Sequence, residues 1–282
     1  MISIVTPTYN RSSLIGAAIR SIQAQNYADW ELLLVDDGST DDTETRVQPF
    51  LADQRISYYR KQNTGQADSL NYGARFARGD YITFLDSDDL ALPGWLEAAA
   101  CHMQQDTGIV CVGAIRKFSD GRVVKEGMSR FRFFGRNMNL KFTSGSLFIR
   151  IDIFKAIHGY DASLQSNIQT DLGYRLLTWL EKTSFKAVVV DQHLVQINIH
   201  EGERIRTNWK KRREGGIQFM QKHFPFIRQH DPAEISNIYA SIAFSCYKLN
   251  RRLESFHYLL LAIRYNPYKG INYLRIVRYT LL

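Results

Sequence analysis

Cysteine is scarce in this chain. Cys101, Cys111 and Cys246 are the only three in 282 residues, too few and too scattered for a disulfide framework or a zinc site. A reducing, cytosolic setting is the simplest reading of that usage. Hydrophobic residues make up 45% of the sequence, enough for a sizeable core. Nowhere, however, do they run on for the roughly 18 residues that a membrane-spanning helix needs. The opening MISIVTPTYNR lacks a basic stretch followed by a long apolar one, so no secretory leader is expected. Glycine-rich nucleotide motifs are missing as well. No GxxxxGK[ST] occurs, which argues against a Walker-type nucleotidase. TPTYNRSS, after the first strand-like run, holds no glycine where a dinucleotide fold would place GxGxxG.

Acidic residues are short in one part of the chain only. Residues 1–200 carry 21 Lys and Arg against 22 Asp and Glu, whereas residues 201–282 carry 15 against 6, so the surplus of +8 comes from the C-terminal part. Such a basic segment suggests an anionic partner, with a membrane surface, nucleic acid and phosphate as candidates and a solvated basic face as the plain alternative. No aromatic–basic platform or nucleic-acid motif accompanies it, so nucleic acid is not expected.

Alternation is the main positive signal. ISIVTPTY, WELLLVD, RISYYRK and DYITFLD read as strands. RSSLIGAAIRSIQAQ (with serine as a candidate cap), TETRVQPFLAD and QADSLNYGARFARG read as the helices between them. Strand and helix alternating through short connections imply a parallel α/β sheet whose strands are apolar because both faces are covered. The sheet is expected to continue through GIVCVGAIRKF, a hairpin at Asp120-Gly121, FTSGSLFIR and KAVVVDQHLVQINIH. From residue 207 the character turns helical and basic. ASIAFSCYKLNRRLESFHYLLLAIRYNP reads as a single helical hairpin with small residues at Ala243, Ser255 and Ala262.

Ligands of open parallel sheets bind at the carboxyl ends of the strands. Four such ends are polar here: Thr8-Tyr9-Asn10, Asp36-Asp37-Gly38-Ser39, Asn63-Thr64-Gly65 and Asp86-Ser87-Asp88-Asp89. The last group sets three carboxylates within four residues. Clustered carboxylates repel unless a hard cation neutralises them, and Mg²⁺ or Mn²⁺ beside a diphosphate is the natural candidate. An EF-hand is excluded, because the sixth residue from Asp86 is Ala91 rather than glycine. Capping of the helix that includes Pro93-Gly94-Trp95 would account for Asp89, but three acids exceed what one cap needs.

SIVTPTYNR, WELLLVDDGSTDDT, NTGQADSLNYGARFARGDYITFLDSDD and GYDASLQSNIQTDLGYRL, in this order, resemble the family 2 glycosyltransferases of GT-A fold over residues 1–200. The resemblance implies an α/β GT-A fold, a mostly parallel Rossmann-like sheet flanked by helices and followed by a C-terminal helical region. A catalytic domain over 1–206 and a basic helical region over 207–282 are expected. The implied activity is inverting and metal-dependent. A sugar would pass from a nucleotide-diphospho-sugar, UDP-linked by preference, to a hydroxyl of a glycan or lipid-linked acceptor in surface polysaccharide or glycoconjugate synthesis. Mn²⁺ or Mg²⁺ would be the cofactor, and the setting cytoplasmic, peripheral to the anionic inner face of the membrane.

The same resemblance assigns roles by position. Asp88 matches the direct metal ligand, and Asp86 lies nearer the ribose. Pro7 and Tyr9 match the turn that packs on the nucleobase and ribose, Asp37 the acceptor of uracil N3–H, and Asp68 an acid near the nucleotide. Asp171 stands at the catalytic-base position. Thr143, Ser144, Gly145 and Ser146 form the loop that meets the acceptor. His200 is a further diphosphate or metal contact, and Arg204 and Arg206 are cations that could close over the diphosphate. Two neighbours depart from the family pattern, Thr170 for the usual glutamate before the base and Ala162 for the glutamate of FDE. A different class of protein, a nucleotide-sugar-binding scaffold working through its basic C-terminal region, fits the same residues without catalysis.

Overall fold

A computed structural model describes residues 1–133, 136–199 and 208–281. Two compact units make up the chain. The first comprises Met1–Arg130, Asn139–Ala162 and the described residues from Leu172 to 199. The second comprises Phe131–Met138, Ser163–Asp171 and the described residues from 208 onward.

The first unit is built on a mixed, nine-stranded sheet. Strands β1 (Ile2–Thr8), β2 (Trp30–Asp36), β3 (Ile56–Arg60) and β4 (Tyr81–Phe84) lie parallel in the order β3-β2-β1-β4. Every residue of β1 and β2 is buried, as their apolar runs require. Within β2 the buried charge of Glu31 is matched by Ser3 Oγ at 2.7 Å and Arg78 Nε at 2.8 Å. Past β4 the sheet continues through β10 (Leu147–Arg150), β6 (Thr107–Phe118), β11 (Lys186–Ile199) and the short β5 (Leu90–Ala91), with β7 (Val123–Glu126) paired to β6. β10 runs antiparallel to both its neighbours, while β6 and β11 are parallel to each other. A separate two-stranded ribbon is formed by β8 (Ser129–Phe133) and β9 (Arg136–Leu140).

Helices α1 (Ile15–Gln23), α2 (Thr43–Val47), α3 (Gln66–Ala74), α4 (Trp95–Ala100) and α5 (Ile151–Ala156) surround this sheet, and α6 (Ile168–Leu180) belongs to it from Leu172 on. α1 buries Ile15, Ala18, Ile19 and Ile22, one stripe at helical spacing, into the core that holds Ile4, Leu32, Trp95 and Phe148. Each such aliphatic side chain stabilises the fold by ~1.5–3 kcal/mol. The expected serine cap of α1 is not formed. A turn starting at Arg11 precedes the helix, and Thr43 Oγ1 and Asp41 Oδ2 accept from the backbone N–H groups of Arg11 and Ser12 at 3.0 and 3.1 Å. The turn that leads into α1 is thus held across space, from the segment that opens α2.

The second unit is helical in its C-terminal part: α7 (Trp209–His230), α8 (Pro232–Lys248), α9 (Arg252–Tyr265), α10 (Ile271–Ile276) and a π turn over Val277–Leu281. The Asn208 side chain caps α7 by accepting from Lys211 N at 3.0 Å. α8 and α9 form the expected hairpin. Small residues let them approach closely: Ser255 Oγ donates to the Ala243 carbonyl at 2.9 Å and Ser236 Oγ to the Ala262 carbonyl at 2.7 Å. Among the described residues, no helix is long and apolar enough to cross a membrane.

Candidate active site

β4 delivers its acids to the sheet edge. Leu85 N still bonds Val5 O, after which the chain turns, with Asp89 N bonded to Asp86 O. Carboxylate oxygens of Asp86, Asp88 and Asp89 come within 4.8 Å of one another. Distant elements hold this turn in place. Asp86 Oδ1 accepts from Gln66 Nε2 and from Ser144 Oγ, both at 3.0 Å. Asn198 of β11 donates its side-chain amide to the Asp88 carbonyl at 2.7 Å and its backbone N–H to Asp89 Oδ1 at 3.0 Å. Asp89 is therefore no helix cap: α4 begins after Gly94 without a side-chain cap, and Asp89 is buried against β11 instead. Three carboxylates this close, those of Asp86 and Asp89 held by hydrogen bonds from distant elements, fit a hard divalent cation, with Asp86 and Asp88 partly exposed to receive it.

The loop Thr143–Ser146 turns inward. Ser144 Oγ donates to Asp86 and the Phe84 carbonyl, Thr143 and Ser146 share a hydroxyl–hydroxyl bond of 2.7 Å, and Ser146 is fully buried. Gly145 has φ +77°, and a Cβ there would lie 2.9 Å from both methyls of Val195. Its N–H is bonded to Phe84 O, and its carbonyl accepts from Trp95 Nε1 at 2.7 Å. These hydroxyls hold Asp86 and the loop itself.

At the ends of β2 and β3 a second network forms. Asp36 is fully buried and accepts from Ser39 N at 2.7 Å and Tyr58 Oη at 2.5 Å, which shapes the turn at Gly38. Asp37 Oδ1 accepts from Lys61 Nζ at 2.5 Å and Thr64 N at 2.9 Å, and its Oδ2 from Gly65 N at 2.8 Å. Lys61 also pairs with Asp68 at 3.1 Å. The Thr64 hydroxyl first, and then Lys61, hold the Asp68 carboxyl below the usual carboxylate range. Tyr9 is 45% exposed at the end of β1, while Pro7 is buried within that strand opposite Val35. Sequence reasoning missed Lys61. Its only signal is its place, at a strand end among acids that one cation can bridge.

Consecutive residues at the start of α3 join the two networks, Gly65 through its N–H to Asp37 and Gln66 through its amide to Asp86.

Asp171 lies in the second unit, as the fourth residue of α6. Its N–H already bonds the Asn167 carbonyl, so it sits inside the first turn rather than capping it. The side chain is fully buried, and its Oδ1 meets Lys222 Nζ at 2.6 Å and His223 Nε2 at 2.7 Å, both from α7. His200, Arg204 and Arg206 lie outside the described residues.

The family model for glycosyl transferase family 2 matches residues 3–161. A GalNAc(5)-diNAcBac-PP-undecaprenol beta-1,3-glucosyltransferase of Campylobacter jejuni is 36% identical over 140 residues, 49% of this chain and 43% of that protein. The chain spans less than half the length of that relative, and 22% of one uncharacterized glycosyltransferase of Rickettsia felis. Among solved structures, S. aureus TarS residues 1–349 with UDP-GlcNAc has a TM-score of 0.66 at 18% identity, covering 94% of this chain and 81% of that one. At that identity the likeness is one of fold, the GT-A fold.

Proposed function

The chain belongs to glycosyl transferase family 2, and from that premise we propose that it transfers a sugar from a UDP-sugar to the hydroxyl of a lipid-linked or polysaccharide acceptor, with inversion. The observation that carries this reading is the joining of two strand-end networks through Gly65 and Gln66: an acid trio fit for a divalent ion and a buried acid at the nucleobase position. A bound nucleotide-sugar in a solved protein of the same fold, and a lipid-linked substrate in the name of the Campylobacter relative, support it.

In this reading Tyr9 lies against the base and Asp37 accepts from uracil N3–H. Lys61 and Asp68 hold the β3–α3 loop around them. Asp86 and Asp88, with Asp89 behind them, would hold Mn²⁺ or Mg²⁺, which would supply charge neutralisation for the departing diphosphate. Asp171 takes the proton of the acceptor hydroxyl as its oxygen attacks C1. The oxygen–C1 bond forms as the C1–diphosphate bond breaks, and the leaving UDP keeps the electron pair. Ser144 and Gln66 act on the reaction only through Asp86.

Calorimetric titration with UDP in the presence of Mn²⁺ tests the donor assignment. Asp37→Ala weakens UDP by about 1–3 kcal/mol, the size of a hydrogen bond to a charged group. Equal affinity in the variant would remove Asp37 from the nucleotide site. UDP-sugar that binds but is never consumed, with glycan or lipid acceptors present, would favour the non-catalytic scaffold instead.

We further propose that the acceptor lies at an anionic lipid surface, a reading that rests on the outward-facing side chains of α10. α10 buries its asparagine, Asn272, on Ser236 Oγ at 3.2 Å, and turns Leu274 outward at 67% exposure. Tyr268 just before it is 96% exposed. No acidic residue occurs after Glu254, whereas Arg264, Lys269, Arg275 and Arg278 do. Apolar and aromatic side chains flanked by cations suit the interface of an anionic bilayer. The protein is expected to float with phosphatidylglycerol vesicles at low salt, less at high salt, and less again as Leu274→Asp. Absence of flotation at low salt would overturn this placement.

A further inference from the structure

A base buried as deeply as Asp171 needs an explanation, because burial alone favours the protonated acid, which cannot accept a proton. α7 supplies one. Lys222 Nζ and His223 Nε2 approach the same carboxylate oxygen, at 2.6 and 2.7 Å. Neighbouring residues on a helix point about 100° apart, so two of them meet on one atom only when that atom lies between their directions. The imidazole is itself fixed, its ring 4.7 Å from that of Phe219 one turn earlier.

The contact is part of a longer seam. The segment leading into α6 lies along α7, where Gln165 N bonds Gln218 Oε1 at 3.0 Å. A Cβ on Gly215 would come within 2.3 Å of Ser166 N. Gly215, Gln218 and Lys222 are spaced i, i+3 and i+7, one face of the helix. That face, ending in His223, fixes where Asp171 stands.

We propose that Lys222 and His223 are positioning residues of the transfer reaction, Lys222 keeping the buried Asp171 ionised and His223 fixing the orientation of its carboxylate. This rests on the reading of Asp171 as the base. Lys222 and His223 of α7 are both brought onto Asp171, which is the acid of the first turn of α6.

The experiment compares wild type, Lys222→Met, Lys222→Arg, His223→Leu, His223→Gln and Asp171→Asn. Three quantities are measured: UDP release from UDP-glucose with Mn²⁺, thermal melting, and the titration of aspartate carboxyl carbons by ¹³C NMR. The Asp171 signal is identified by its absence from Asp171→Asn. In Lys222→Met the Asp171 carboxyl is expected to titrate roughly 1–3 units higher than in wild type, as on removal of an adjacent cation. kcat falls while the KM for UDP-glucose holds, and Lys222→Arg restores both titration and kcat. His223→Leu lowers kcat without moving KM, and His223→Gln, which keeps a donor, recovers part of it.

An Asp171 titration that stays in place in a folded Lys222→Met overturns the proposal, whatever the turnover. So does a kcat that follows melting temperature alone, without regard to Arg or Gln. If instead Asp171→Asn itself keeps near-normal turnover, the base assignment is what fails.

Discussion

Replacing Asp171 by asparagine is expected to lower kcat for transfer by about 10²–10⁴-fold, the usual contribution of a general base. Donor affinity should hardly change, since nothing in the assignment has Asp171 touch the nucleotide. The amide keeps the shape of the side chain but cannot take the acceptor proton. It also withdraws a negative charge from Lys222, whose side chain is only 33% exposed. A destabilisation of about 1–3 kcal/mol is therefore expected, typical of lost hydrogen bonds to a charged group. The two effects separate cleanly in a single preparation. A single-turnover rate measured well below the melting transition reports the base, and the melting curve reports the ion pair. Normal turnover in a folded Asp171→Asn would move the base elsewhere.

The second large effect is expected at Asp88. Asp88→Asn should abolish the Mn²⁺-dependent part of donor binding. Without metal the variant should melt at the same temperature as wild type or higher. The sign follows from the geometry. Three carboxylates within 4.8 Å repel one another, by about 1 kcal/mol per pair even in water-like surroundings. Removing one charge relieves that strain, and the Asn198–Asp88 bond survives because it uses the main-chain carbonyl. Thermal scans with and without Mn²⁺ and UDP test both halves, since a ligand of the native state raises its apparent stability. A variant that still gains the wild-type increment from Mn²⁺ would exclude Asp88 as a ligand.

Much of this site could be read from the sequence because each parallel strand is an apolar run that stops in polar residues, and the stops are local. Asp36, Asp37, Asp86 and Asp88 announce themselves in this way. What could not be read depends on partners far along the chain. Asp89 looks like a cap for the helix that follows it, yet its partner Asn198 is 109 residues away. Ser144 looks like an exposed loop residue, but tertiary packing turns it onto Asp86. In QKHF the lysine and histidine resemble a solvated helix face, and nothing local says that a carboxylate 52 residues earlier lies between them. The direction of β10 was equally hidden, because a four-residue apolar run has no polarity of its own.

That reversed strand has a consequence for how such a protein can change. Because β10 runs against β4 and β6, the chain leaves the sheet at the end of β6 and returns at the start of β10 on the same edge that carries the acids. The chain from Phe118 to Leu147 is one excursion that includes β7, paired to β6, and the loop of Ser144, whose hydroxyl bonds Asp86. Its last residues, Thr143–Ser146, hold Asp86 and change only at that acid's expense, whereas β7 hangs on the sheet through its antiparallel pairing to β6. The fold thus separates the parallel ladder β3-β2-β1-β4, whose strands end in the acids, from the outlying hairpin at β7, where insertions would leave that ladder intact.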